Sequence, residues 1–131
     1  MQLDGSEVPI ELYARRSTSR IIIGDDVHIR GGASLEAEDS IVIGDRVVLG
    51  AYVKILDNHL HPLRGNRRLV PPSAPVQLDS DVVVCDRAIV LPGTHLMSAA
   101  RVCEAAVVSR RVPPHAVVSG IPARASKRSK P

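Results

Sequence analysis

The sequence contains no phenylalanine and no tryptophan, and Tyr13 and Tyr52 are its only tyrosines. Ordinary globular domains fill much of their interior with large aromatic side chains. A chain of 131 residues without them is therefore expected to have a thin, repetitive interior of valine, isoleucine, leucine and alanine. Two cysteines, Cys85 and Cys103, are too few for a disulfide scaffold.

Long apolar runs are also absent: no segment approaches the roughly 20 residues that a membrane-spanning helix needs. The first residues show no signal-peptide pattern, so we expect a cytoplasmic protein that does not bind membranes. Much of the net charge of +3 comes from the tail 124–131, which is either a solvated terminus or a phosphate contact. The rest of the chain is nearly balanced in charge, and nucleic acid is not an expected partner.

Aliphatic residues recur every six positions, a period that fits neither an α-helix (3.6) nor an ordinary strand (2). The C-terminal half carries the series Leu78, Val84, Val90, Leu96, Val102 and Val108. Small residues lie four positions after each of these: Val82, Ala88, Thr94, Ala100, Ala106 and Val112. The N-terminal half has Ile23 and Ile29, a slip of two residues after Leu35, and then Ile43, Leu49 and Ile55.

This period predicts an all-β, single-stranded parallel β-helix, with three short strands in each 18-residue coil and about 4.8 Å between coils. Gly24, Gly44 and Gly50 each follow an inward aliphatic residue, where a tight corner is expected. Cys85 and Cys103 are one coil apart, so their Cα atoms should stack about 4.8 Å apart, within disulfide range. In a reducing compartment we expect them to remain thiols, and the alternative is a redox-sensitive latch.

The repeat stops at 57–68, "DNHLHPLRGNRR", where histidine, aspartate, asparagine and arginine replace the aliphatic series. We therefore predict one domain, 1–131. It has coils at about 20–55 and 76–112, a loop at 56–75, and a C-terminal strand with a basic tail at 113–131.

Three stretches carry a family resemblance: the coils "IIIGDDVHIRGGASL" and "IVIGDRVVLGAYVKI", the loop "DNHLHPL" with "RGNRR", and "VPPHAVVSGIPAR" at 112–124. Together they resemble the left-handed β-helix acyltransferases with hexapeptide repeats, in the branch of galactoside, maltose and polysaccharide O-acetyltransferases. The resemblance implies a left-handed helix with a loop ejected at about 56–76. It also implies transfer of an acetyl or other acyl group from coenzyme A to a hydroxyl of a sugar or other small molecule.

A homotrimer, with active sites between neighbouring prisms, is a further implication of the resemblance. Outward aliphatic residues such as Val42, Val48 and Val83 agree with it, because a thin monomer would leave them partly wet. The rival interpretation is a non-catalytic trimeric scaffold or accessory protein.

The general base implied by the resemblance is His61, which aligns on "HPL"; a register shifted by two residues would select His59 instead. Histidine suits this work because its pKa near 6.5 lets it accept a hydroxyl proton at neutral pH. Asp57 and Asn58 either orient the imidazole and the acceptor or cap the turn that leaves the coil. Arg67, with Arg64 and Arg68, either contacts a charged ligand or is solvated.

The coenzyme site implied by the resemblance comprises Cys85, Asp86, Glu104, Ser109, Arg110, Arg124 and Lys127. Hydroxyl and cationic groups suit pantetheine and phosphates. Four corner positions depart from the glycine usual in relatives: Asp79, Cys85, Met97 and Cys103. The carboxylates of Asp86 and Glu104 would weaken anion binding unless they point away from the ligand.

A metal site is the remaining alternative, since γ-class carbonic anhydrases are similar in fold and hold zinc with three histidines. Here His59 and His61 are two residues apart in the predicted loop, and His28, His95 and His115 have no matching spacing. We therefore expect no metal.

Overall fold

The computed structural model describes residues 2–4, 8–58 and 73–125. These residues form seventeen short strands and no helix that would be long and apolar enough to cross a membrane. The strands are β1 (Gln2–Asp4), β2 (Glu11–Ala14), β3 (Arg20–Ile23), β4 (His28–Arg30), β5 (Ser34–Ala37), β6 (Ser40–Ile43), β7 (Val48–Leu49), β8 (Lys54–Leu56), β9 (Val76–Leu78), β10 (Val83–Val84), β11 (Ile89–Val90), β12 (His95–Leu96), β13 (Arg101–Val102), β14 (Val107–Val108), β15 (Arg111–Val112), β16 (Val117–Ser119) and β17 (Arg124–Ala125).

The strands form three sheets in which strands three apart in sequence pair with each other, and β17 pairs with β16. Face A contains β1, β4, β7, β10, β13, β16 and β17; face B contains β2, β5, β8, β11 and β14; face C contains β3, β6, β9, β12 and β15. All pairs are parallel except β16 with β17. This is the three-faced solenoid that the six-residue period predicts, consistent with a left-handed β-helix.

The register shows where the coil departs from 18 residues. Residue 83 pairs with residue 101, 18 positions later, as predicted. Residue 28 pairs with 48, 20 positions later, which is the two-residue slip seen in the sequence. Residue 48 pairs with 83, 35 positions later, because the repeat is interrupted between the end of β8 at Leu56 and the start of β9 at Val76.

The last full step of the period is shorter than predicted. Leu96 pairs with Val112, 16 positions later, so Val112 is an inward strand residue. A coil of 18 residues would have made Val112 the small residue that precedes the next strand. The two residues Ser109 and Arg110 connect β14 to β15, whereas four residues, 91–94, connect β11 to β12. A corner shortened by two residues therefore lies in the region expected to contact the coenzyme.

The β-helix also begins earlier than the predicted start at about residue 20. Strand β1 pairs with β4, and β2 pairs with β5. The side chains of β2 are all exposed, so this strand is held by its backbone pairing and carries no inward aliphatic residue. Without burial there is no hexapeptide pattern for the sequence to reveal.

The core is a ladder of aliphatic side chains with no aromatic member among the described residues. Every residue of the predicted inward series from Leu78 to Val108 is buried. Among the described residues, the buried polar side chains are Asp57, Asn58 and Thr94. All three follow a face B strand, β8 or β11, on the side where the repeat is interrupted.

Gly24, Gly44 and Gly50 lie at corners where the next coil is close, and none of the three has a positive φ. A Cβ at Gly50 would meet the Asp86 carboxylate and would lie 2.6 Å from the Asp86 nitrogen and 2.9 Å from the Cys85 carbonyl carbon. Positive φ occurs two residues after the glycine, for example at Arg46 (56°) and Tyr52 (60°). The sequence therefore predicts the right glycines, but steric contact between coils is the reason for them.

Candidate active site

The turns that join faces define three edges of the prism. The A–B edge, which joins face A to face B, includes residues 50–52, 85–87 and 103–105. The B–C edge includes 38–39, 57–58, 73–75, 91–93 and 109–110. The C–A edge includes 24–26, 44–46, 79–81, 97–99 and 113–115. The interrupted coil leaves and re-enters at the B–C edge.

Asp57 anchors the point where the chain leaves the coil. Its side chain is fully buried, and its two carboxylate oxygens accept hydrogen bonds from the backbone N–H groups of Glu38 and Asp39, each at 2.7 Å. The side-chain amide of Asn58 donates to the same carboxylate at 3.1 Å. Of the two roles predicted for Asp57, these contacts favour the cap, because three donors already use the carboxylate.

The point of return is tied to the same place. The N–H of Ala74 donates to the carbonyl of Asp57 at 2.8 Å, and Asn58 forms an antiparallel bridge with Ser73. One coil later, the N–H of Gly93 donates to the carbonyl of Ala74 at 3.0 Å. The two ends of the interruption are therefore held together and fixed to the coils on both sides.

Four of the predicted site residues lie outside the described residues: His59, His61, Arg67 and Lys127. The first three lie in sequence between the two anchored ends, Asn58 and Ser73.

Ser109 and Arg110 lie on the B–C edge, the same edge as the anchored ends. Both are exposed, and Arg110 has a positive φ of 73°. They follow β14, which is separated from β8 by one strand, β11. At about 4.8 Å per strand, the shortened corner lies about 10 Å along this edge from Asp57 and Asn58.

Cys85, Asp86 and Glu104 lie on the other border of face B, the A–B edge. The Asp86 carboxylate accepts the N–H of Ala51 in the preceding coil at 2.9 Å. The exposed carboxylate of Glu104 lies 3.9 Å from the guanidinium of Arg87. Each carboxylate thus faces a donor or a cation, which reduces the repulsion expected between these acids and an anionic ligand.

The C-terminal segment closes the last coil. Val107 donates its N–H to the Gly120 carbonyl at 3.1 Å and accepts the N–H of Ala123 at 2.9 Å. The chain then turns back as β17, where the exposed Arg124 pairs with Ser119 of β16. Arg124 therefore lies on face A, beyond the A–B edge, and the predicted coenzyme residues that the structure describes are distributed around the C-terminal end of face B.

A histidine–carboxylate pair that the sequence did not predict lies on the outer side of face C. Nε2 of His95 is 3.0 Å and 3.1 Å from the two oxygens of Asp79, and Gln77 donates to Asp79 at 2.9 Å. His95 pairs with Gln77 one coil earlier, and Asp79 lies two residues after Gln77, where the chain leaves face C. Tracing outward positions from coil to coil places His95 beside Gln77 and not beside Asp79.

Two further observations bear on the chemistry of the described residues. No group of three or more histidine, cysteine, aspartate or glutamate side chains in residues 2–4, 8–58 and 73–125 is placed to hold a metal ion. The hydrogen bond from Arg46 lowers the pKa of Asp81, but this pair lies on the C–A edge, away from the anchored ends.

No family model matches the sequence. Among curated proteins, 2,3,4,5-tetrahydropyridine-2,6-dicarboxylate N-acetyltransferases are similar. The enzyme of Alkaliphilus metalliredigens is 47% identical over 58 residues, and that of Enterococcus faecalis is 40% identical over 57 residues. Each match covers 44% of this chain and 24% of the relative, so the similarity spans about a quarter of those enzymes.

Solved structures match over nearly the whole chain. A hexapeptide-repeat acetyltransferase from Vibrio cholerae superposes with a TM-score of 0.84 at 25% identity, over 99% of this chain and 72% of its own. Its complex with acetyl coenzyme A gives 0.81 at 26% identity, over 97% and 70%. A galactoside acetyltransferase in complex with coenzyme A gives 0.80 at 19% identity, over 96% and 62%, which shows the fold alone. The structural neighbours of this chain are thus hexapeptide-repeat acetyltransferases, and the chain has their β-solenoid fold.

Proposed function

We propose that the protein is an acyltransferase that moves an acetyl group from acetyl coenzyme A to a hydroxyl of a sugar or other small molecule. One observation carries the proposal: the closed anchor formed by Asp57, Asn58, Ser73 and Ala74. It fixes both ends of the histidine-containing segment on the edge that also carries Ser109 and Arg110. The solved neighbours with acetyl coenzyme A or coenzyme A bound agree with this donor.

The described residues fit a coenzyme at the C-terminal end of face B. Ser109 supplies an exposed hydroxyl, and Arg110 and Arg124 supply exposed cations for phosphate groups. The carboxylate of Asp86 is held toward Ala51 in the preceding coil. When bound, acetyl coenzyme A would supply an activated thioester.

His61 would act as the general base in this reaction, with His59 as the alternative. The imidazole takes the proton of the acceptor hydroxyl while the hydroxyl oxygen attacks the thioester carbonyl. The acetyl group moves to that oxygen, the carbon–sulfur bond breaks, and coenzyme A leaves as a thiol. In this proposal Asp57 and Asn58 fix the start of the segment, and Arg67 contacts the acceptor or donor.

A homotrimer completes the proposal, with each site shared between neighbouring chains. Three outward aliphatic residues support it: Val42, Val48 and Val83 are all half-buried in the single chain, and Val48 and Val83 are paired neighbours on face A. A second copy packed against these side chains would remove them further from water.

Transfer to an amine is the second candidate, and the similarity to two N-acetyltransferases favours it. A matched pair of acceptors, glucose and glucosamine, separates the two by release of free thiol from acetyl coenzyme A. The proposal predicts release of free thiol with the hydroxyl acceptor, glucose. Release with the amine, glucosamine, but not with glucose would replace O-transfer with N-transfer.

The donor is tested by thermal unfolding with acetyl coenzyme A. A ligand at 100 times its dissociation constant stabilises a protein by about 2.7 kcal/mol. Arg110→Ala should weaken binding by roughly 10-fold to 100-fold, since a charge-assisted hydrogen bond contributes about 1.5–3 kcal/mol. Arg46→Ala is the matched control, because Arg46 is also an exposed turn arginine with positive φ (56°) but lies on the C–A edge.

Equal weakening by Arg110→Ala and Arg46→Ala would remove the B–C edge from the donor site. If acetyl coenzyme A leaves the unfolding temperature of the wild type unchanged, the scaffold interpretation replaces the enzymatic one.

A further inference from the structure

The hydrogen bonds between neighbouring coils place the two cysteines opposite each other. The N–H of Cys85 donates to the carbonyl of Val102 at 2.9 Å, and the N–H of Ala105 donates to the carbonyl of Asp86 at 3.0 Å. These two bonds lie on either side of the cysteine position, so the parallel register continues through the corner. Cys85 is therefore the partner of Cys103, one coil later.

The distance between neighbouring coils permits a bond between the two sulfurs. Paired positions on adjacent parallel strands have Cα atoms about 4.8 Å apart, within the roughly 4.4–6.8 Å found across disulfides. Side chains that point the same way from paired positions have Cβ atoms at a similar spacing, whereas disulfides need about 3.5–4.5 Å. Closing the bond therefore pulls two coils together slightly, and strained disulfides of this kind are readily reduced again.

The position of the pair makes it accessible to small reagents. Both cysteines are half-buried and free, and they lie at the A–B edge beside the exposed Arg87 and Glu104. The preceding coil has Gly50 at the equivalent position, packed against Asp86, so that coil places no side chain beside Cys85. No third cysteine exists in the chain to compete for either sulfur.

We infer that Cys85 and Cys103 form a reversible dithiol–disulfide site that reacts with small disulfides such as oxidised glutathione. One cysteine thiolate attacks the small disulfide, forms a mixed disulfide and releases one glutathione thiol. The other cysteine then attacks the protein sulfur of the mixed disulfide and releases the second glutathione. Two protein thiols thus lose two electrons and two protons, and one oxidised glutathione becomes two reduced molecules. This inference does not rest on the proposed acyltransferase activity.

The test is equilibration of the folded wild-type protein, without coenzyme A, in buffers of varied reduced-to-oxidised glutathione ratio. After acid quenching and alkylation, intact mass should show a product lighter by two hydrogen atoms, and peptide mapping should join Cys85 to Cys103. Dithiothreitol should return the protein to the dithiol form. Cys85→Ser and Cys103→Ser are the matched controls, and each should stop at a single glutathione adduct.

Three results would overturn the inference. The first is wild-type protein that carries two glutathione adducts and no internal bridge. The second is covalent dimers in place of the internal bridge. The third is native thiols that resist oxidation at every glutathione ratio and bridge only after unfolding.

Discussion

Replacement of Asp57 by alanine should destabilise the whole β-helix, because this carboxylate joins the turn at Glu38 and Asp39 to the point where the chain leaves the coil. The side chain is completely buried and accepts the N–H groups of Glu38 and Asp39 at 2.7 Å each. Alanine would leave both donors without an acceptor. A buried donor left unsatisfied costs about 1–3 kcal/mol, so the two together should cost roughly 2–6 kcal/mol. Water entering the vacated space would bring the value toward the lower half of that range.

Two further variants separate this cause from a general loss of packing. Asp57→Asn keeps one acceptor oxygen but directs an amide donor at the second N–H group. It should therefore lower the free energy of unfolding by about half as much as alanine does. Asp39→Asn changes an exposed carboxylate on the same edge, and its stability should stay within about 0.5 kcal/mol of the wild type.

The assay is urea unfolding at fixed protein concentration, combined with hydrogen exchange at the amides of residues 38 and 39. We expect these two amides to exchange slowly in the wild type and much faster in Asp57→Ala, whereas one of the two should stay protected in Asp57→Asn. If Asp57→Ala lowers the free energy of unfolding by less than about 1 kcal/mol and both amides stay protected, the carboxylate does not have this stabilising role.

Three other predictions follow from the fold. Gly50→Ala should lower the free energy of unfolding in urea by about 1–3 kcal/mol, because the added Cβ would lie 2.6 Å from the Asp86 nitrogen. An unchanged urea midpoint would contradict this close approach. Arg46 lowers the pKa of Asp81 below 3.8, so the stability contribution of this pair is present above that value and is lost as pH falls through the folded pKa. Arg46→Gln should therefore have a lower urea midpoint than the wild type at neutral pH. If the two proteins differ by the same amount below the folded pKa of Asp81, the ion pair is not the cause of the difference. Light scattering at micromolar concentration should give the mass of a trimer, and a monomer would remove the shared site from the proposal.

The sequence was sufficient to predict the coils because inward positions repeat wherever the core is aliphatic. Val84, Val90 and Leu96 follow the period and are all buried. The break was equally visible, because the aliphatic series stops at Leu56 and resumes at Val76. The sequence does not reveal strand β2, because none of its side chains is buried. It does not reveal the 16-residue step either, because valine suits both the small corner position that was predicted for Val112 and the inward strand position that it occupies.

The site was predicted less completely because its contacts join residues from different coils. The period does not show that the carboxylate of Asp57 reaches back to the amides of Glu38 and Asp39, one coil earlier. Nor does it show that His95 meets Asp79, because the 18-residue step pairs His95 with Gln77. The assignment of His61 as the base depends on the family resemblance, and His61 lies outside the described residues.

The proposed acyl transfer is tested by the release of free thiol from acetyl coenzyme A across a panel of hydroxylated acceptors, measured for the wild type, His61→Ala and His59→Ala. We expect acceptor-dependent release that falls by roughly 10²-fold to 10⁴-fold in His61→Ala and stays near the wild-type rate in His59→Ala. In the wild type the rate should decline as the imidazole protonates at low pH. Acceptor-dependent release that survives in His61→Ala at the wild-type rate would contradict this expectation.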